Sequence, residues 1–212
     1  MKKGYIFDLD GTLLDSMPVW KTIGRRYLLS QGITPPEGVE EFYKTMTFHE
    51  TALYFQSLGL QASEQEMIDA ISAMVAEDYA LHVEAKAGAV EYVKKAKEAG
   101  IALCALTASE KGYLLPALKR LGLLDCFTEV YTCTELNKSK QQPEIFVQVA
   151  GFLGLSVEEV AVFEDSLHCI QTAKAAGAYV VAMEDAAVAE DKAAILQAAD
   201  QYICDFTQFP LV

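Results

Sequence analysis

No cysteine in this chain has a partner at metal-ligand spacing. Its five cysteines, Cys104, Cys126, Cys133, Cys169 and Cys204, stand singly and are odd in number. That leaves neither a CxxC zinc site nor a disulfide framework. Basic residues are the minority, 17 Lys plus Arg against 30 Asp plus Glu, for a formal net charge of −13. The clustered positive charge that holds nucleic acid or an anionic membrane is therefore missing. A small anionic substrate is still compatible, because one local site can be positive on an acidic protein. No run approaches the roughly 18 consecutive apolar residues of a membrane helix. The opening MKKGYIF has lysines but no long apolar stretch behind them, so no signal peptide is predicted. These absences predict a soluble, cytoplasmic protein in a reducing setting, with no nucleic-acid or membrane partner; a monomer is expected, on no residue pattern in particular.

What is present is core material. Of 212 residues, 52% are hydrophobic, enough for one sizeable domain or a larger domain with an insert. Apolar runs at Tyr5–Phe7, Ala102–Leu106, Val160–Phe163 and Tyr179–Met183 predict buried parallel strands, with a weaker one at Glu129–Thr132. Between them lie amphipathic stretches. "AVEYVKKAKEAG" sets Ala89, Val90, Val93 and Ala96 on one face and Glu91, Lys94, Lys95 and Glu98 on the other, and closes on Gly100. "YLLPALKRLG" and "SLHCIQTAKAAG" repeat the plan. Strand, helix, glycine, strand predicts a doubly wound α/β sheet. From Ser16 to about Glu84 the pattern is helical only, far beyond the dozen or so residues a crossover needs. That segment is predicted to be an inserted all-helical cap domain, residues 16–84, on a core of residues 1–15 and 85–212. The acidic "EDAAVAEDKAAI" is expected to be a solvated helix.

In "YIFDLDGTLLDS" two aspartates, Asp8 and Asp10, follow a strand meant to be buried. Unpaired buried carboxylates are strongly disfavoured, and neighbouring ones repel. Ligands of open α/β sheets bind at the carboxyl ends of strands. Those ends here carry Asp8 and Asp10, then Thr107, then Glu164 and Asp165, with Lys140 ahead of a helix starting near Pro143. Such a set suits Mg²⁺ and a phosphate. Mg²⁺ takes one or two carboxylates plus phosphate oxygens, and Asp8 and Asp165 could supply them, with a backbone carbonyl near Asp10. An aspartate can attack phosphorus to form an aspartyl-phosphate. Asp10 can serve as general acid and then base. Thr107 and nearby backbone amides, at Ala108, can bind phosphoryl oxygens, and Lys140 can offset charge that builds in the transition state.

The chain resembles the haloacid dehalogenase superfamily, in its helical-cap phosphatase branch near beta-phosphoglucomutase-like proteins. The resemblance rests on Asp8-Leu9-Asp10-Gly11-Thr12 with Leu14-Asp15-Ser16 behind it, on Thr107, on Lys140 of "KQQPEIF", and on Glu164-Asp165 of "VFEDS". It implies a Rossmann-like core with a cap, Asp8 as nucleophile, Asp10 as acid and base, and Asp8, Asp10, Asp165 and Glu164 around Mg²⁺. It also implies phosphoryl transfer rather than dehalogenation, since Asp10 is present. Departures are Gln141 for a frequent proline, Cys169 for a frequent glycine, Ala87 for a proline, and Ala108 for Asn or Ser.

Bland alternatives stand beside several of these. Asp8 and Asp10 could be turn residues, Asp165 or Ser166 a helix cap, and Ser109 a cap competing with Thr107. Lys138 competes with Lys140. In the cap, Trp20, Arg25, Lys44 and His49 could face substrate, or be core residues and solvated charges. The expected function is a Mg²⁺-dependent phosphatase of a small phosphorylated metabolite. Its rivals are a sugar phosphomutase, a phosphonate hydrolase using Lys44, and a non-catalytic binding module of the same fold.

Overall fold

The computed structural model describes residues 2–43, 46–207 and 209–212. By internal packing the chain forms two compact units, Met1–Asp15 with Glu84–Val212, and Ser16–Val83.

In the first unit the strands among the described residues are β1 (Gly4–Phe7), β2 (Ala102–Thr107), β3 (Val130–Thr132), β4 (Val160–Glu164), β5 (Tyr179–Met183) and β6 (Gln201–Ile203). All pair in parallel, in the order β3-β2-β1-β4-β5-β6. Order reverses beside β1, so the crevice at its carboxyl end is the topological switch point of the sheet. Phe7 is in register with Ala105 on one side and Phe163 on the other, which brings the tips of β1, β2 and β4 together.

Both faces of the sheet are covered. Ile6, Cys104, Leu106, Val162 and Val180 pack with Ile145, Phe146 and Val149, and with Ile170 and Ala173, from α8 (Pro143–Phe152) and α9 (Leu167–Ala176), which follow the short α7 (Cys133–Leu136). Neighbouring residues on each strand point the other way, as a strand period of two demands. There Phe7 stacks on Phe163 at 4.4 Å, and Tyr5 lies 6.2 Å from Tyr92 of α5 (Ala89–Glu98). Each face buries apolar side chains, the largest favourable contribution to the fold.

The second unit contains α1 (Met17–Ser30), α2 (Val39–Tyr43), α3 (Phe48–Ser57) and α4 (Glu64–Leu81). Thr47 and Ser63 open α3 and α4 as capping boxes with Glu50 and Glu66. Tyr27, Phe55, Met67 and Val75 are buried, with Tyr27 and Phe55 stacked 6.4 Å apart.

Two readings of the sequence need correction. β6 is an addition to the predicted strands: its Gln201-Tyr202-Ile203 is only three residues long with Ile203 alone buried, as an edge strand can be. The stretch expected as one solvated helix is a 3₁₀ segment, Ala186–Asp191, interrupted by non-helical backbone at Val188, followed by α10 (Lys192–Ala198). Its Asp185 is buried, accepts from Ala187 N at 2.7 Å, and pairs with Lys86 at 2.6 Å. No helix of the described residues is long and apolar enough to cross a membrane.

Candidate active site

Beyond β1 the chain turns at once. The Leu9 carbonyl accepts from the amides of Thr12, Leu13 and Leu14 at 3.3, 3.0 and 2.8 Å. Gly11 sits at φ +84°, a left-handed conformation that glycine adopts without strain. A Cβ there would also stand 2.5 Å from Asp165 Oδ2, so glycine is required twice over. The turn leaves Asp8 buried at the strand tip, its amide donating to Phe163 O at 2.9 Å. Thr12, quoted in the motif but given no role, donates its hydroxyl to Asp165 Oδ1 at 3.1 Å. Only the sheet order could reveal that contact, since 153 residues separate the two.

At the tip of β4, Glu164 is held from several sides. Its Oε2 accepts from the amides of Asp165 and Ser166 at 2.9 and 3.1 Å, and its Oε1 from Lys140 Nζ at 2.8 Å. The Cys169 thiol also bonds to it, and burial pushes that thiol's pKa up. Lys140 forms a second ion pair with Asp8. It is Lys140, not Lys138, that stands among the acids; Lys138 donates to Gln148. One carboxylate oxygen from each of Asp8, Glu164 and Asp165 lies within 4.8 Å of the others.

Three buried carboxylates stand together and two of them, Asp8 and Glu164, pair with one ammonium, and their ionisation reflects it. Burial first, then the charges of Glu164 and Asp8, lift Asp165 from 3.8 to about 9. Asp8 rises to about 7, through burial, with Glu164 and Asp10 adding and Lys140 opposing. Burial pushes Glu164 up too, but the Lys140 charge and hydrogen bond outweigh it and hold Glu164 below 4.5. For Lys140, burial is outweighed by Asp8 and Glu164, and its pKa lies well above 10.5. Such an all-oxygen, over-charged donor set has the chemistry that a hard divalent cation takes.

Asp10 belongs to a neighbouring group. It is half-buried, and its Oδ2 accepts from Ser109 Oγ at 2.6 Å. Ser109 N donates to Oγ1 of the fully buried Thr107 at 3.0 Å. Ala108, between them, is exposed. Nothing local in the sequence links Ser109 to Asp10, since 99 residues separate them.

The residues singled out in the helical insert have partners there. Trp20 Nε1 donates to Tyr79 OH at 2.7 Å, Arg25 pairs with Glu40, and His49 Nδ1 lies 2.7 Å from Glu64 Oε2. Lys44 lies outside the described residues.

Residues 5–183 match the family model of the Haloacid dehalogenase-like hydrolases. Hexitol phosphatase A of Escherichia coli is 27% identical over 184 residues, 85% of this chain and 82% of that one. Phosphoglycolate phosphatase 1 of Pseudomonas aeruginosa is 27% identical over 185 residues, 84% and 68% of the two. A crystal structure from Thermotoga maritima, of a protein assigned as a beta-phosphoglucomutase, superposes with a TM-score of 0.84 at 24% identity, covering 95% of this chain and 94% of that one.

Proposed function

This chain belongs to the haloacid dehalogenase-like hydrolases, and on that premise we propose that it hydrolyses the phosphoric monoester of a small metabolite through an aspartyl-phosphate on Asp8. The observation that carries this reading is the gathering of Asp8, Glu164 and Asp165 at the switch point of the sheet, with Lys140 paired to the first two. Curated relatives named as phosphatases support the reaction class, and their differing substrates leave only the class in common.

Asp8, Asp165, Glu164 and the Asp10 carbonyl are the groups that would hold Mg²⁺. When bound, the ion supplies charge neutralisation and polarises a phosphoryl oxygen. Lys140 holds the Asp8 carboxylate in place and offsets negative charge on the phosphoryl group. Thr107, its Oγ1 accepting from Ser109 N, turns its own hydroxyl proton to a phosphoryl oxygen, with the Ala108 amide beside it. An Asp8 oxygen bonds to phosphorus as the bond from phosphorus to the leaving oxygen breaks, and Asp10 gives that oxygen its proton. Asp10, now a carboxylate, takes a proton from water. The water oxygen bonds to phosphorus, the bond to Asp8 breaks, and inorganic phosphate leaves. In this reading residues 16–84 are the cap domain, and residues 1–15 with 85–212 carry the chemistry.

The test is phosphate release from a panel of phosphorylated metabolites, with Mg²⁺ and with chelator. Release that requires Mg²⁺ and disappears in Asp8→Asn, with the fold intact, is the expected result. Full activity in Asp8→Asn would sink the assignment. Conversion of a hexose 1-phosphate into its isomer without phosphate release would replace hydrolysis by a mutase.

A further inference from the structure

We propose that Ser109 is the positioning residue of the proton-transfer group, holding Asp10 in register with the phosphoryl-binding Thr107. The inference rests on the acid and base role of Asp10 and adds to it the group that makes that role productive.

Ser109 is bonded at both ends of its polar reach. Its Oγ donates to Asp10 Oδ2 at 2.6 Å, across 99 residues of sequence. Its backbone N–H donates to Thr107 Oγ1 at 3.0 Å, closing a short turn of the kind Ser and Thr hydroxyls favour. Thr107 is itself immovable: it is fully buried at the end of β2 and in register with Thr132 of β3. Asp10, by contrast, lies past the end of β1, on the turn at Gly11. A side chain on a turn has torsional freedom that one on a strand lacks, and the Ser109 hydroxyl removes it.

The capping role does not account for this contact. The residue preceding α6 (Lys111–Arg120) is Glu110, whose side chain makes no cap hydrogen bond. Ser109 stands one residue further out, with its hydroxyl committed to Asp10.

The chemical consequence is specific. A carboxyl group that accepts a hydroxyl hydrogen bond on Oδ2 carries its mobile proton on Oδ1, and the fixed torsion aims that oxygen. Since Thr107 is fixed by the sheet and Ser109 ties Asp10 to it, the atom that binds the phosphoryl group and the atom that protonates the leaving oxygen keep one distance. Proton transfer needs donor and acceptor within hydrogen-bond reach, and small displacements are costly.

Leaving groups of different acidity test this. Substituted phenyl phosphates, from phenyl phosphate to 2,4-dinitrophenyl phosphate, need protonation at departure to very different extents. The value of kcat/KM reports the steps up to departure and leaves out the later hydrolysis. Ser109→Ala is expected to lower kcat/KM for phenyl phosphate about 10-fold or more, a part of the ~10²–10⁴ that general acids supply. For 2,4-dinitrophenyl phosphate the same reasoning expects less than about a threefold loss. Ser109→Thr keeps the hydroxyl and should retain the parent profile. If the alanine variant does not fold, the isosteric pair Ser109→Thr and Ser109→Val carries the same comparison. Equal losses across the series, or none, would overturn the positioning role. Asp10→Asn separates the layers: a leaving-group-dependent loss there, with none in the Ser109 variants, removes only the role of Ser109. Equal losses in Asp10→Asn remove the acid role, and with it this inference.

Discussion

Lys140 Nζ stands 2.8 Å from Glu164 Oε1, with side-chain exposures of only 7% and 2%, and it contacts Asp8 as well. A buried ion pair contributes little to stability relative to an apolar pair, but losing one partner strands the other charge.

Lys140→Ala should therefore act on both stability and turnover. Stranding Asp8 and Glu164 is expected to cost about 3–5 kcal/mol in the cation-free protein. Activity should fall at least ~10²-fold, the scale set by loss of one transition-state electrostatic contact. Lys140→Arg should not rescue it, because a planar fork does not fit where a compact ammonium sits. Urea unfolding and phosphate release measure the two effects; near-parent values in both would contradict the placement of Lys140.

The raised acids predict how pH and Mg²⁺ trade. Asp8 and Asp165 keep their protons in the folded, cation-free state up to about 7 and about 9, against 3.8 when unfolded. Their contribution to stability is thus full below 3.8 and is lost as pH rises toward those values. Glu164, held below 4.5, runs the other way: its contribution is present above 4.5 and is lost on acidification. Protons and cation compete for the raised acids, so Mg²⁺ should raise the unfolding midpoint more near pH 9 than near pH 5. Asp165→Asn should remove much of that difference. A Mg²⁺ effect that is the same at every pH would exclude these acids as its site.

Gly11→Ala puts a side chain at φ +84° and against Asp165 Oδ2. The backbone cost alone is about 1–2 kcal/mol. The displaced Asp165 should weaken the Mg²⁺-induced rise in melting temperature as well. Thermal unfolding with and without Mg²⁺ reads both, and an unaltered Mg²⁺ response would show that Asp165 does not need the space.

Asp185 and Lys86 form a separate pair at 2.6 Å, with side-chain exposures of 4% and 15%. Asp185→Ala leaves the ammonium largely shielded and should destabilise by roughly 1–3 kcal/mol. Lys86→Met with Asp185→Leu should recover part of that loss, by the logic of apolar replacement of buried pairs. Denaturant midpoints decide it; a double variant worse than the sum of the singles would overturn the pairing argument.

Much of the architecture is legible in one dimension because its causes are local. Apolar runs mark β1, β2, β4 and β5, and glycines at 100, 122 and 177 mark where helices end. The motif acids at 8, 10, 164 and 165 stand at strand ends because each strand's own pattern stops there. Where the local signal is weak the structure departs from it: β6 is three residues with only Ile203 buried, and the helix expected through Ala186 is interrupted at Val188.

By itself the sequence determined, to within a residue, where β1, β2, β4 and β5 end, since hydrophobic period and chain-breaking residues act over a few positions. Only the tertiary structure decided which of those ends meet. Lys140 reaches Asp8 across 132 residues, Thr12 reaches Asp165 across 153, and Ser109 reaches Asp10 across 99. Those contacts follow from strand order and register, which depend on burying both faces of the sheet at once, a condition no local stretch of chain can express.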